Sequence, residues 1–132
     1  VIVVADTNVY VSALVFGGVP QAALYRALIP PHQLAISESI REEISLTLRR
    51  KFGWAQTRID AIFCELLRDV VWVTPANVRA CRDPLDDHIL GCAVAAQASY
   101  LVTGDGDLLS LEEYRGIAIV TPVNFLSSST SG

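Results

Sequence analysis

The sequence predicts an α/β fold: a three-layer α/β/α sandwich around a central parallel sheet of about five strands. Three observations carry this. Short apolar runs alternate with helical stretches along the chain, which is the signature of βαβ units and a parallel sheet. The opening run, "VIVVA", reads as a buried strand. Hydrophobic residues make up 52% of the 132 positions and charged ones 18%, enough apolar side chain for one domain with a real core.

Taken in order, residues 1–5 form the first strand, "PQAALYRAL" (20–28) a helix and "QLAIS" (33–37) a second strand. "SIREEISLTLRRK" (39–51) is an amphipathic helix, with Ile40, Glu43, Ile44, Thr47 and Leu48 at i, i+3, i+4, i+7 and i+8. Residues 57–69 form another helix and "VVWV" (70–73) a third strand. "PLDDHILGCAVAAQA" (84–98) is a helix, opened by Asp83 as N-cap and Pro84 at the first helical position. "YLVT" (100–103) and "GIAIV" (116–120) complete the sheet. The domain is expected over residues 1–126, followed by a disordered polar tail over 127–132.

Composition narrows the function classes. The formal net charge of −4 argues against a generic nucleic-acid binder, though not against an acidic site that holds cations. Cys64, Cys81 and Cys92 have no CxxC or Cys/His spacing, so a zinc site is not expected, and free thiols suit a reducing compartment. His32 is expected in a surface loop, and neither it nor His88 as a metal ligand. The apolar runs are too short to span a bilayer, and no basic segment precedes "VIVVA" as in a signal peptide. Val1 stands where an initiator Met is usual, so a trimmed, soluble, cytoplasmic chain is expected, with no membrane partner.

The acids carry the chemistry. Asp6 directly follows the first strand and Asp105 lies two residues past the fourth, at the carboxyl end of the sheet where such folds bind ligands. Glu43 falls within the buried stripe of its helix, so it either reaches water at the stripe's edge or points into a polar site. Glu42 has a structural role available, in a capping box begun by Ser39. Asp86 and Asp87 both border the buried face of their helix, and periodicity does not separate them. Asp107 is placed to cap the short turn at Leu108, which leaves Asp105 freer. Carboxylates that converge cannot all stay ionised without cations, and hard ions such as Mg²⁺ or Mn²⁺ suit oxygen donors. Such a cluster fits metal-dependent phosphodiester hydrolysis better than acyl transfer.

In order along the chain, "VADTNVYVSAL", "SESIREEI", "DPLDDHILGCA" and "YLVTGDGDLL" together resemble the PIN-domain ribonucleases, most closely the bacterial and archaeal VapC-like toxins of toxin–antitoxin pairs. The resemblance implies a Mg²⁺- or Mn²⁺-dependent endoribonuclease. It places the catalytic and metal-binding acids on Asp6, Glu43, Asp87 and Asp105, with Asn8, Asp86, Thr103 and Asp107 as secondary candidates. It also implies RNA as substrate, an antitoxin partner and a homodimer. The alternatives are a non-catalytic PIN-like module that binds RNA or protein, and a structure-specific DNase. Arg49, Arg50 and Lys51 form the basic run. RNA contact is one role for it, and favourable termination of its helix is the commoner one.

Overall fold

The computed structural model describes residues 1–81 and 84–131, with the side chains of 84, 85 and 129–131 left aside. The elements run β1 (Ile2–Ala5), α1 (Thr7–Phe16), α2 (Gly18–Leu28), β2 (Gln33–Ile36), α3 (Glu38–Phe52), α4 (Gln56–Leu66) and β3 (Val71–Trp72). They continue with α5 (Pro84–Ala96), β4 (Tyr100–Val102), α6 (Gly106–Leu109), β5 (Glu113–Tyr114), β6 (Ile117–Val120) and α7 (Pro122–Ser131).

One six-stranded sheet has the order β3-β2-β1-β4-β6-β5. Five strands are mutually parallel, as expected. The sixth, β5, is a short antiparallel edge strand paired to β6 that the sequence reading lacks. Val3, Val4 and Ala5 of β1 and Leu34, Ala35 and Ile36 of β2 are all buried, so helices cover both faces of the sheet. α5 packs on β1, β2 and β4, while α2 and α7 pack on each other and on the sheet. The chain lays β1, β2 and β3 to one side, then returns to place β4 on the other side of β1. The strand order therefore reverses between β1 and β4, and the crevice at their carboxyl ends is the expected ligand position. The Asp6 amide donates to Val102 O at 3.0 Å, which fixes the end of β1 against that of β4.

Several expectations are corrected. Helix α1 has no counterpart in the sequence reading because its buried residues (Thr7, Val9, Tyr10, Val11 and Ala13) surround it rather than forming a stripe. α3 is capped by Ser37, whose Oγ accepts from the Ile40 amide at 3.2 Å, so Ser39 lies inside the helix and no capping box forms with Glu42. His32 is buried, not in a surface position: the chain after Pro31 turns inward and sets its ring against Phe125, with centroids 5.4 Å apart. Burial is also the main reason its pKa lies below the ordinary histidine value. α7 runs from Pro122 to Ser131. The proposed cap Asp83 lies outside the described residues.

The segment between β3 and α5 is fixed to α5 at Gly91. The Ala76 amide donates to Gly91 O at 2.9 Å, and a Cβ on Gly91 would stand 2.3 Å from the Ala76 carbonyl oxygen. Backbone cannot yield as a side-chain tip can, so Gly91→Ala is expected to destabilise the fold by about 1–3 kcal/mol. A thermal melt checks this, and the apparent Tm should fall. Among the described residues, no helix is long and apolar enough to cross a membrane.

Candidate metal centre

Asp6 is 6% exposed and has two anchors. As N-cap of α1 it accepts the Asn8 amide on Oδ1 at 3.0 Å, and the Thr103 hydroxyl donates to its Oδ2 at 2.6 Å. Thr103 is fully buried just past β4, and its Oγ1 accepts the Asp105 amide at 3.0 Å. The relay Asp6–Thr103–Asp105 thus joins the ends of two neighbouring parallel strands. Asp105, rather than Asp107, caps α6, accepting the Leu108 amide on Oδ2 at 3.0 Å. A cap occupies one carboxylate oxygen and leaves the other available, so Asp105 keeps a donor for the crevice. Asp107 is left without that role.

Among the described residues, Asp86, Asp105 and Asp107 each bring one carboxylate oxygen within 4.8 Å of the others. Asp86 and Asp105 are half-buried and Asp107 is exposed. Asp87, outside that group, is held by backbone. Its Oδ1 accepts the Ala80 amide at 3.0 Å and the Cys81 amide at 2.8 Å. Those two N–H groups hold its carboxyl below the usual carboxylate range, with smaller contributions from the Cys81 thiol and the Arg79 charge. Asp87 thereby fastens the segment before α5 to the helix. Adjacent helical residues point about 100° apart, so one aspartate of the pair enters the acidic group while the other pins a loop.

Glu43 takes the polar alternative. Its Oε1 lies 2.5 Å from Nε2 of His88, which comes from the first turns of α5. That hydrogen bond, reinforced by the charges of Glu43, Asp6 and Asp86, raises the His88 pKa against a smaller opposing effect of burial. His88, set aside in the sequence reading, is therefore the link that ties α3 to the acidic crevice. A histidine whose pKa is raised on folding stabilises fully below its unfolded value, about 6.5, and loses that stabilisation as pH rises through its folded value. In chelator, wild type should melt above His88→Gln at low pH, by about 1 kcal/mol at most for a partly exposed pair, with the gap closing on the alkaline side.

The donor set fits a hard divalent cation. The grouped atoms are carboxylate oxygens, two of them half-buried, and their mutual repulsion needs positive charge nearby. The Thr7 hydroxyl, next to Asp6, is buried without a partner among the described residues. The Cys81 thiol beside the site is a poor nucleophile: burial, with help from the Asp87 carboxylate, pushes its pKa up to about 12. Asn8 is exposed beside Asp6 and contributes its backbone amide. Arg49, Arg50 and Lys51 occupy the last turn of α3, roughly 10 Å along the helix from Glu43, where they offset the helix dipole.

Of the sequence-predicted positions, Asp6, Thr103, Asp105, Asp86 and Asp107 thus gather at one sheet end. Glu43 reaches the same neighbourhood through His88, and one oxygen of the Asp87 carboxylate accepts two backbone amides. No sequence signal separates Asp86 from Asp87, because the backbone amides that claim Asp87 belong to an irregular segment.

A mainly parallel α/β sandwich with acids gathered at the strand-order reversal defines a cation-binding class of α/β domain. A family model described as PIN domain matches residues 2–107, and the chain belongs to that family. PIN domains are generally nucleases. The chain is also 32% identical over 117 residues to the uncharacterized protein MJ1680 of Methanocaldococcus jannaschii, an alignment spanning 84% of this chain and 75% of that protein.

Proposed function

We propose that this chain is a Mg²⁺- or Mn²⁺-dependent endoribonuclease that hydrolyses RNA phosphodiester bonds. The carrying observation is the set of Asp86, Asp105 and Asp107 oxygens within 4.8 Å, joined to buried Asp6 through Thr103. Asp6, Asp86 and Asp105 are the residues that hold the cation, with Asp107 at the solvent side and Glu43 at the α3 side. These acids would hold a divalent ion, which when bound would lower the pKa of a water and offset charge on the phosphoryl oxygens. The protein's own part is positioning. The Asn8 amide and Thr103 hydroxyl fix both oxygens of Asp6, the Leu108 amide fixes one oxygen of Asp105, and His88 holds Glu43. An acidic pole of this kind repels phosphate, so RNA should engage only when the cation is present.

The finer reading is the toxin of a toxin–antitoxin pair, acting as a homodimer and held by an antitoxin segment at the acidic site. It is supported by the sequence resemblance and by an apolar groove of about 530 Å³ lined by Leu14, Leu24, Tyr25, Leu28, Ile62 and Leu66, with Tyr25 exposed. The direct test of the nuclease reading is cleavage of a mixed RNA pool, with a matched DNA pool beside it, in Mg²⁺, Mn²⁺ and chelator. Cleavage of RNA dependent on either ion is expected. Equal RNA stability in all three conditions contradicts the reading, and preferential cleavage of DNA redirects it to a DNase.

A further inference from the structure

Beside the acids, the segment between β3 and α5 forms one wall of an open cleft of about 460 Å³, lined by Pro75, Asn77, Val78, Arg79, Asp87 and His88 among others. Its size falls within the range of clefts that hold small ligands, roughly 300–1,000 Å³. The wall is set in place rather than loose. Asp87 accepts the Ala80 and Cys81 amides, Gly91 O accepts the Ala76 amide, and Val78 is 5% exposed. The cleft adjoins the acidic crevice: the charges of Asp6 and Asp86 act on His88, and those of Asp86 and Asp105 act on Cys81, both in its lining.

Arg79 brings positive charge to this cleft. Arg41 and Arg68 pair with Glu38 and Glu65, and Arg58 and Arg115 lie over the rings of Trp54 and Tyr114. Arg79 is exposed, and among the described residues its guanidinium makes no hydrogen bond or ion pair. A guanidinium held beside acids but not consumed by them suits a phosphate that arrives with the substrate. Asn77 adds a side-chain amide, able to donate and accept at a base edge, against the apolar surface of Pro75 and Val78.

We infer that this cleft is the subsite for the nucleotide next to the scissile phosphate of single-stranded RNA, with Arg79 binding its phosphate and Asn77 facing its base. A single strand is required because the cleft takes a base out of its stack, which a duplex does not release. The inference rests on the nuclease reading for its substrate but is tested through binding.

The experiment measures anisotropy of a fluorescein-labelled, mixed-sequence single-stranded RNA with Mn²⁺ across a salt series. An Asp6→Asn background slows turnover, Mn²⁺ is kept at a concentration that saturates the remaining acids, and Arg79→Ala, Arg79→Lys and Asn77→Ala are compared within it. Arg79 and Asn77 are both exposed, so their replacement leaves the core packing untouched. Arg79→Ala should weaken binding about tenfold and reduce the log–log salt slope by about 0.7, the share of one phosphate contact on a single strand. Arg79→Lys should restore the slope and part of the affinity. Asn77→Ala should weaken binding at the same slope. Unchanged affinity and slope in Arg79→Ala overturn the inference, as do 4-thiouridine crosslinks confined to residues outside 75–81. Should wild type bind RNA through Arg79 yet never cut it, the nuclease reading fails and the subsite stands. Should wild type cut RNA while Arg79→Ala binds and cuts equally well, the subsite fails and the nuclease reading stands.

Discussion

Asp6→Asn is expected to lower metal-dependent RNA cleavage by about 10³-fold or more while leaving the fold intact. Removing a charged cation ligand forfeits several kcal/mol of transition-state stabilisation, and each 1.4 kcal/mol is tenfold in rate. Asparagine is the informative replacement because it is as good an N-cap as aspartate. Its amide oxygen can still accept the Asn8 amide, so α1 keeps its first-turn partner. Either replacement takes from the buried Thr103 hydroxyl the carboxylate oxygen it now donates to at 2.6 Å, but alanine removes the cap as well and so confounds the result further. Single-turnover cleavage in Mn²⁺, alongside a circular-dichroism melt, separates the two effects. Near-wild-type cleavage by a folded Asp6→Asn protein is incompatible with a catalytic cation at this strand end.

The adjacent aspartates of α5 should divide their roles. Asp86→Asn is expected to reduce cleavage by about 10²–10³-fold and to raise the Mn²⁺ concentration needed for half-maximal rate, with little change in Tm. Asp87→Ala should do the reverse: a lower Tm, because the Ala80 and Cys81 amides lose their acceptor, and a smaller loss of rate as the wall beside the site loosens. The pH dependence has a definite sign. The Asp87 carboxyl titrates below its ordinary value of 3.8, so its stabilisation is present above that value and disappears as pH falls through the lower, folded one. The Tm difference between wild type and Asp87→Ala should therefore narrow in acid. The opposite ranking, with Asp87 governing the metal requirement, is what the sequence resemblance implies and would reverse the assignment drawn from the geometry.

Much of this fold was legible because apolar runs and amphipathic stripes report burial directly. Strands β1, β2, β4 and β6 are continuous apolar segments, and α3 carries Ile40, Ile44 and Leu48 at helical spacing, all buried. Helix α1 was not legible, since a helix buried on nearly every side has no period to detect. Strand β5 was missed for the opposite reason. Two residues, Glu113 and Tyr114, paired at an edge leave no apolar pattern. The site divides in the same way. Asp6 and Asp105 were found because strand ends can be placed from sequence, and topology then makes those ends neighbours. The roles of Asp86, Asp87 and His88 depend on where an irregular segment presents two backbone amides and where a side chain on a different helix ends. Neither quantity is encoded in local periodicity. The cap of α6 fell to Asp105 rather than Asp107 for a similarly local reason: the helix begins two residues earlier than the turn residues alone indicate.

The most direct measurement is anomalous diffraction from crystals of the wild-type protein soaked in Mn²⁺. A peak is expected at the carboxyl ends of β1 and β4, among the carboxylates of Asp6, Asp86 and Asp105. Mn²⁺ bound elsewhere, or a crevice that stays empty at concentrations supporting RNA cleavage, would contradict a metal centre built from these acids.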